Sequence, residues 1–110
     1  MKKINVLIAA VFFSVPLASH AGGNAEAGKA KYDATCKACH GEAGAKPILP
    51  EYPILAGQHR DYLAAVLNQY KAGKRKNASM NGFAAALKAE DIQDLAAYIS
   101  SQPSTLRYKY

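Results

Sequence analysis

Two thiols and an imidazole stand within five residues of one another, in the order Cys36-Lys37-Ala38-Cys39-His40. A Cys-x-x-Cys-His run is the spacing used for covalent haem attachment. Two thiols on one tight turn can each add to a vinyl group on a single porphyrin edge. The next residue then points an imidazole nitrogen at the iron. Two other chemistries use closely spaced thiols. A redox dithiol belongs beside a βαβ pattern, and this sequence has no strand pattern. A structural zinc site needs four ligands. Beyond residue 21 the usual nitrogen and sulfur donors are Cys36, Cys39, His40 and His59, and a proline-rich stretch separates His59 from the others. The expected cofactor is therefore one haem c, bound through Cys36 and Cys39, with His40 as an axial ligand.

A second axial ligand must come from later in the chain. Apart from Met1, the one methionine is Met80, in a Gly/Asn-rich stretch read as loop from Asn77 to Phe83. A thioether in such a loop can reach the opposite face of the ring. His/Met ligation raises the reduction potential relative to harder ligand sets. With both axial positions filled, electron exchange is favoured over oxygen chemistry. His59 is the rival for that position, although it follows Ala56-Gly57-Gln58 at a helix entrance. No acid/base pair or second metal constellation is visible, which speaks against an enzyme.

These ligands need elements to position them. Asn24 can cap a helix over 25–35, with Glu26 near the positive end of its dipole. The segment 41–57 carries Gly41, Gly44, Pro47, Pro50, Pro53 and Gly57, a density that excludes a regular helix or central strand. Tyr62, Leu63, Val66, Leu67 and Tyr70 recur at helical steps, which predicts a second helix over 60–72 stopped by Gly73. Glu90 and Asp91 open a third over 89–101, whose buried stripe is Ile92, Leu95, Ala96 and Ile99. The tail from Ser104 is expected to be exposed. The fold class is all-α, with no internal repeat.

The N-terminus reads as an address. Lys2 and Lys3 precede an apolar run from Ile4 to Leu17, and Ala18-Ser19-His20-Ala21 offers small residues at a cleavage point, the order of a secretory signal peptide. The run is shorter than the ~20 apolar residues of a spanning helix, so no stable membrane anchor is expected. Residues 1–21 are the expected signal peptide and 22–110 one domain, located in the periplasm. A domain so small has a marginal core, and two cysteines this close cannot staple distant segments. A bound prosthetic group accounts better for its stability. The formal charge of +6 falls by two with Lys2 and Lys3. That mild basicity is no nucleic-acid footprint. Lys71, Lys74, Arg75 and Lys76 cluster, either as a solvated helix end or as a patch that steers an acidic redox partner.

Several stretches beyond the thiols carry a resemblance: Gly28-Lys29-Ala30-Lys31-Tyr32, Tyr52-Pro53-Ile54-Leu55-Ala56-Gly57-Gln58, Tyr62-Leu63 through Arg75, Met80, and Leu95-Ala96-Ala97-Tyr98. With them the sequence resembles the class I c-type cytochromes, most closely the short bacterial periplasmic branch that includes single domains of dihaem cytochromes. The resemblance spans Gly28 to Gln102. It implies a cytochrome c-like fold of three main helices around one covalently bound haem, with first and last helices crossing closely at Gly28. It also implies that the Pro53 carbonyl accepts a hydrogen bond from His40. Relatives commonly cap the last helix with Ser or Thr, where this chain has Lys88. Leu55, Leu67, Tyr70, Phe83, Leu87 and Ile99 are candidates to line the haem crevice, and Arg75 to pair with a propionate. The implied function is one-electron transfer between redox partner proteins, the iron cycling Fe2+/Fe3+. The alternatives are a cytochrome subunit of one periplasmic oxidoreductase complex and a haem-based sensor.

Overall fold

Asn24 sets the start of the first helix. Its side-chain oxygen accepts the N–H groups of Glu26 and Ala27 at 2.9 and 3.2 Å, and α1 runs Ala25–Thr35. The computed structural model describes residues 2–14, 22–104 and 106. The expected cleavage point after Ala21 and tail residues 105 and 107–110 lie outside the described residues. Residues 2–14 form no helix and leave Leu7, Phe12 and Phe13 exposed, so they add nothing to the core. No helix among the described residues is long and apolar enough to cross a membrane.

A four-residue helix, α2 (Lys37–His40), follows directly on α1 and carries the second thiol and the imidazole. Gly41 ends it at φ 78°, and a Cβ there would lie 1.8 Å from the Lys46 carbonyl oxygen, so no other residue fits this turn. A 3-10 turn spans Glu42–Gly44. The buried Tyr32 hydroxyl donates to the Gly41 carbonyl at 2.8 Å and ties this turn back onto α1. After the proline-rich loop come α3 (Arg60–Lys71), α4 (Ala78–Ala85) and α5 (Ala89–Ser100). Among the described residues there is no strand.

The three expected helices are the three longest present, and α2 and α4 add two short ones. The stretch read as loop from Asn77 to Phe83 is instead mostly α4, which corrects that expectation. Its Gly and Asn content argued against a helix, but Asn77 is itself the cap. The Asn77 side chain accepts the Met80 N–H at 3.0 Å, which satisfies one of the free donors of a helix start. At Lys88 the missing Ser/Thr cap is compensated from inside the helix. The Asp91 carboxylate accepts the Lys88 N–H at 2.8 Å, and that bond, with the Lys31 charge, holds its pKa below the usual carboxylate value.

The core is Tyr32, Leu63, Leu87, Ile92, Leu95, Ala96, Tyr98 and Ile99. It forms where α1 and α3 both pack on α5, while α4 packs on α3. The crossing of α1 with α5 is close because Gly28 has no side chain. A Cβ there would meet the Asp94 carbonyl oxygen at 1.9 Å and Tyr98 Cβ at 2.9 Å. Beside it the rings of Tyr32 and Tyr98 meet tilted, centroids 5.4 Å apart.

Candidate haem site

Cys36 is the residue between α1 and α2, so both thiols and the imidazole hang from a single backbone turn. Within it the His40 N–H donates to the Cys36 carbonyl at 3.0 Å, and the Ile48 N–H returns to the Cys39 carbonyl at 3.1 Å. Both thiols are free and half-buried, and Cys36 packs against the core. Burial pushes the Cys36 thiol up to about 11, with Cys39 adding and Lys31 opposing. A working redox dithiol uses a depressed thiol pKa, the opposite of the direction at Cys36.

His40 is 8% exposed, and its Nδ1 lies 3.3 Å from the Pro53 carbonyl oxygen. A carbonyl only accepts, so Nδ1 carries the hydrogen and Nε2 keeps its lone pair. Burial holds the imidazole pKa below its ordinary value, partly offset by the Pro53 contact. A neutral ring with one nitrogen fixed by a backbone acceptor is the state a metal-ligating histidine needs.

The other expected site residues occupy three kinds of place. Met80 is half-buried on the first turn of α4. Leu55 and Leu67 are half-buried against the core, and Tyr70 is half-buried at the end of α3. Leu87 and Ile99 sit inside the core, whereas Phe83 is 47% exposed. Arg75 lies over the Tyr70 ring, 5.4 Å from its centroid, and its Nε donates to the Tyr70 hydroxyl at 3.2 Å. His59 is placed elsewhere: it precedes α3 and lines an open polar hollow of about 380 Å³ with Gly57, Gln58, Arg60, Asp61 and Ser100. None of the expected haem residues borders that hollow. The helical pair Asn77 and Asn81, which brackets Met80, was not singled out from the sequence. Their four-residue spacing is the signal that marks them as one helical turn.

The donors present fit a haem. Iron in a porphyrin has two axial positions for protein ligands, and an imidazole and a thioether are a suitable pair. A bare ion needs more. Among the described residues no group of three or more His, Cys, Asp or Glu side chains comes together to hold one. Partly uncovered Leu55, Leu67 and Phe83 suit a flat apolar ring, and the two thiols suit its covalent edge.

A family profile described as "Cytochrome C oxidase, cbb3-type, subunit III" matches residues 23–99. Cytochrome c4 of Pseudomonas aeruginosa is 41% identical over 101 residues, covering 90% of this chain and 49% of that protein. Cytochrome c-554(548) of Halomonas halodenitrificans is 46% identical over 83 residues, 73% of this chain and 98% of that protein. Among solved structures, reduced recombinant cytochrome c4 from Pseudomonas stutzeri superposes with a TM-score of 0.65 at 32% identity, covering 72% of this chain and 48% of the other. The chain thus spans about half the length of its cytochrome c4 relatives. It belongs to the class I c-type cytochromes, with covalently bound haem c as its cofactor. Within that family it is similar to a single domain of the dihaem cytochrome c4 proteins.

Proposed function

We propose that this chain is an exported one-electron carrier, working between redox partner proteins in the periplasm and catalysing no reaction of its own. The observation that carries the reading is the imidazole of His40, nearly buried, with its Nδ1 3.3 Å from the Pro53 carbonyl oxygen, beside two thiols of one turn. When bound, haem c supplies reversible one-electron exchange. The chain's residues hold and shield it. Cys36 and Cys39 provide the thioether bonds, and His40 Nε2 and the Met80 thioether are the axial donors. Leu55, Leu67, Tyr70, Phe83, Leu87 and Ile99 keep water from the ring, and Arg75 answers a propionate charge. Leaving residues 2–14 out of the core supports their reading as part of a leader, 1–21, ahead of a domain over 22–110.

Optical redox titration of the matured protein tests the reading. It predicts one reversible single-electron transition with the same spectrum in both directions. An irreversible or multi-electron titration would contradict it.

The partner side is suggested by charge. Between residues 62 and 89 the chain holds Lys71, Lys74, Arg75, Lys76 and Lys88 and no carboxylate. Among the described residues, ion pairs engage Lys29, Lys31, Lys37 and Arg60, and none engages those five. The segment that includes α4 and bears Met80 is thus a cationic stretch without an ion pair among the described residues, suited to an acidic protein. Lys74→Glu/Lys76→Glu should slow oxidation by the anionic probe ferricyanide roughly fivefold to tenfold at low ionic strength and hardly at all at 1 M salt. Equal rates for both proteins at low salt would remove this patch from the account.

A second reading, dedicated acceptor for one oxidoreductase, draws on a relative. The protein named thiosulfate dehydrogenase electron acceptor in Thiomonas intermedia is 40% identical over 93 residues. In that case thiosulfate and its dehydrogenase should reduce this protein faster than a quinol-oxidising complex does.

A further inference from the structure

Asn81 joins three segments around Met80. Its Nδ2 donates to the Tyr70 carbonyl at the end of α3 and to the Arg75 carbonyl in the following loop, each at 2.8 Å. Its Oδ1 accepts the Asn77 N–H at 2.9 Å. Only this orientation of the amide satisfies all three contacts, because a flipped group would set its oxygen against two carbonyls. Asn77 in turn accepts the Met80 N–H. The backbone at Met80 is therefore enclosed by a reciprocal pair of asparagines, and Asn81 fastens that pair to α3 and its exit loop. The loop is also tied to α3 directly: the Lys74 and Arg75 N–H groups reach the Gln69 carbonyl at 2.9 and 3.2 Å, the Gly73 N–H reaches the Tyr70 carbonyl at 3.2 Å, and Arg75 Nε donates to the Tyr70 hydroxyl at 3.2 Å.

We propose that Asn81 is the positioning residue that keeps Met80 at its post, setting how often the thioether leaves and a diatomic ligand can enter. The proposal rests on the reading of Met80 as the second axial donor. Its physical basis is that α4 contains low-propensity residues and packs on α3, so its placement depends on that junction. Each hydrogen bond of ordinary net strength shifts an equilibrium by roughly twofold to tenfold. Losing both donor contacts should therefore raise the population with Met80 displaced by roughly 4- to 100-fold. Alanine is a better helix former than asparagine, so Asn81→Ala should not reduce helix content. That separates loss of positioning from loss of structure.

Carbon monoxide binding by the reduced, matured protein reads the displacement directly. Asn81→Ala should bind roughly 4- to 100-fold faster than wild type at the same gas concentration, with an unchanged far-ultraviolet helix signal. Asn81→Asp keeps the acceptor for Asn77 but turns an oxygen toward two carbonyls, and should be at least as fast as the alanine variant. Rates within twofold of wild type for both would overturn the proposal. Met80→Ala run in parallel separates the two levels. If it binds no faster than wild type, the ligand reading fails; if it binds fast while both Asn81 variants do not, the positioning role alone fails. Should the variants not mature, proton exchange in the 15N-labelled wild type decides. Slow exchange of the Asn81 side-chain amide supports the proposal, and exchange as fast as an exposed amide overturns it.

Discussion

Met80→Ala is expected to abolish the weak sulfur-to-iron(III) absorption near the red end of the oxidised spectrum. It should also lower the reduction potential by on the order of 100 mV, a modest share of the ~0.8 V that axial ligands span. A thioether is a soft donor that favours the ferrous state, and water or a harder side chain in its place favours the ferric state. The helix should survive, because the cap that starts α4 uses the Met80 N–H and the Asn77 side chain, not the thioether. His59 is no ready substitute, since it lines the hollow at the entrance to α3. An unchanged spectrum and potential would assign the second ligand to another residue.

Gly28→Ala should have the largest effect on folding. In an exposed helix this change is favourable by about 1 kcal/mol. Here the added carbon would sit 1.9 Å from the Asp94 carbonyl oxygen, which belongs to the backbone of α5 and cannot rotate away. The helices would have to separate, loosening the Tyr32–Tyr98 contact and the bond from the Asn24 N–H to the Asp94 carboxylate at 2.8 Å. Overpacking of this kind costs about 3 kcal/mol. The net loss is ~2 kcal/mol, a fall in Tm of roughly 10 °C for a domain of this size. Gly82 supplies the control. Nothing lies within 4 Å of a Cβ placed there on α4, so Gly82→Ala should keep or raise Tm. Thermal melts of both variants, followed by circular dichroism, check the pair. Equal melting temperatures would mean that the close crossing does not matter.

How legible the molecule was in its sequence depended on whether a signal was local. Asn24 followed by Glu26 placed α1 at Ala25–Thr35, and the periodic leucines and tyrosines placed α3 to within a residue. The thiol–imidazole motif is wholly local and was readable at once. The α4 helix was missed because its composition is poor and its cap is an asparagine that also suits a turn. What stabilises it is partly remote: Asn81 bonds to residues six and eleven positions away. No residue-by-residue propensity contains that information. The partner of His40 is remote too. Pro53 lies thirteen residues on, across a loop with no periodicity, and only the resemblance to known cytochromes pointed to its carbonyl. At Lys88 an expected defect is answered by Asp91, three residues later, so the helix begins where the sequence placed it.

Leu55 and Leu67 lie half-buried against the core, and Phe83 is nearly half exposed, so all three keep apolar surface that a bound haem could cover. Mass spectrometry of the exported, matured protein after denaturation and acid extraction is the most direct test. The account predicts one haem per chain that stays on the peptide containing Cys36 and Cys39 and gives the haemochrome spectrum of two saturated vinyl groups. Haem that extracts freely, or a colourless protein whose helices are fully formed, would contradict it.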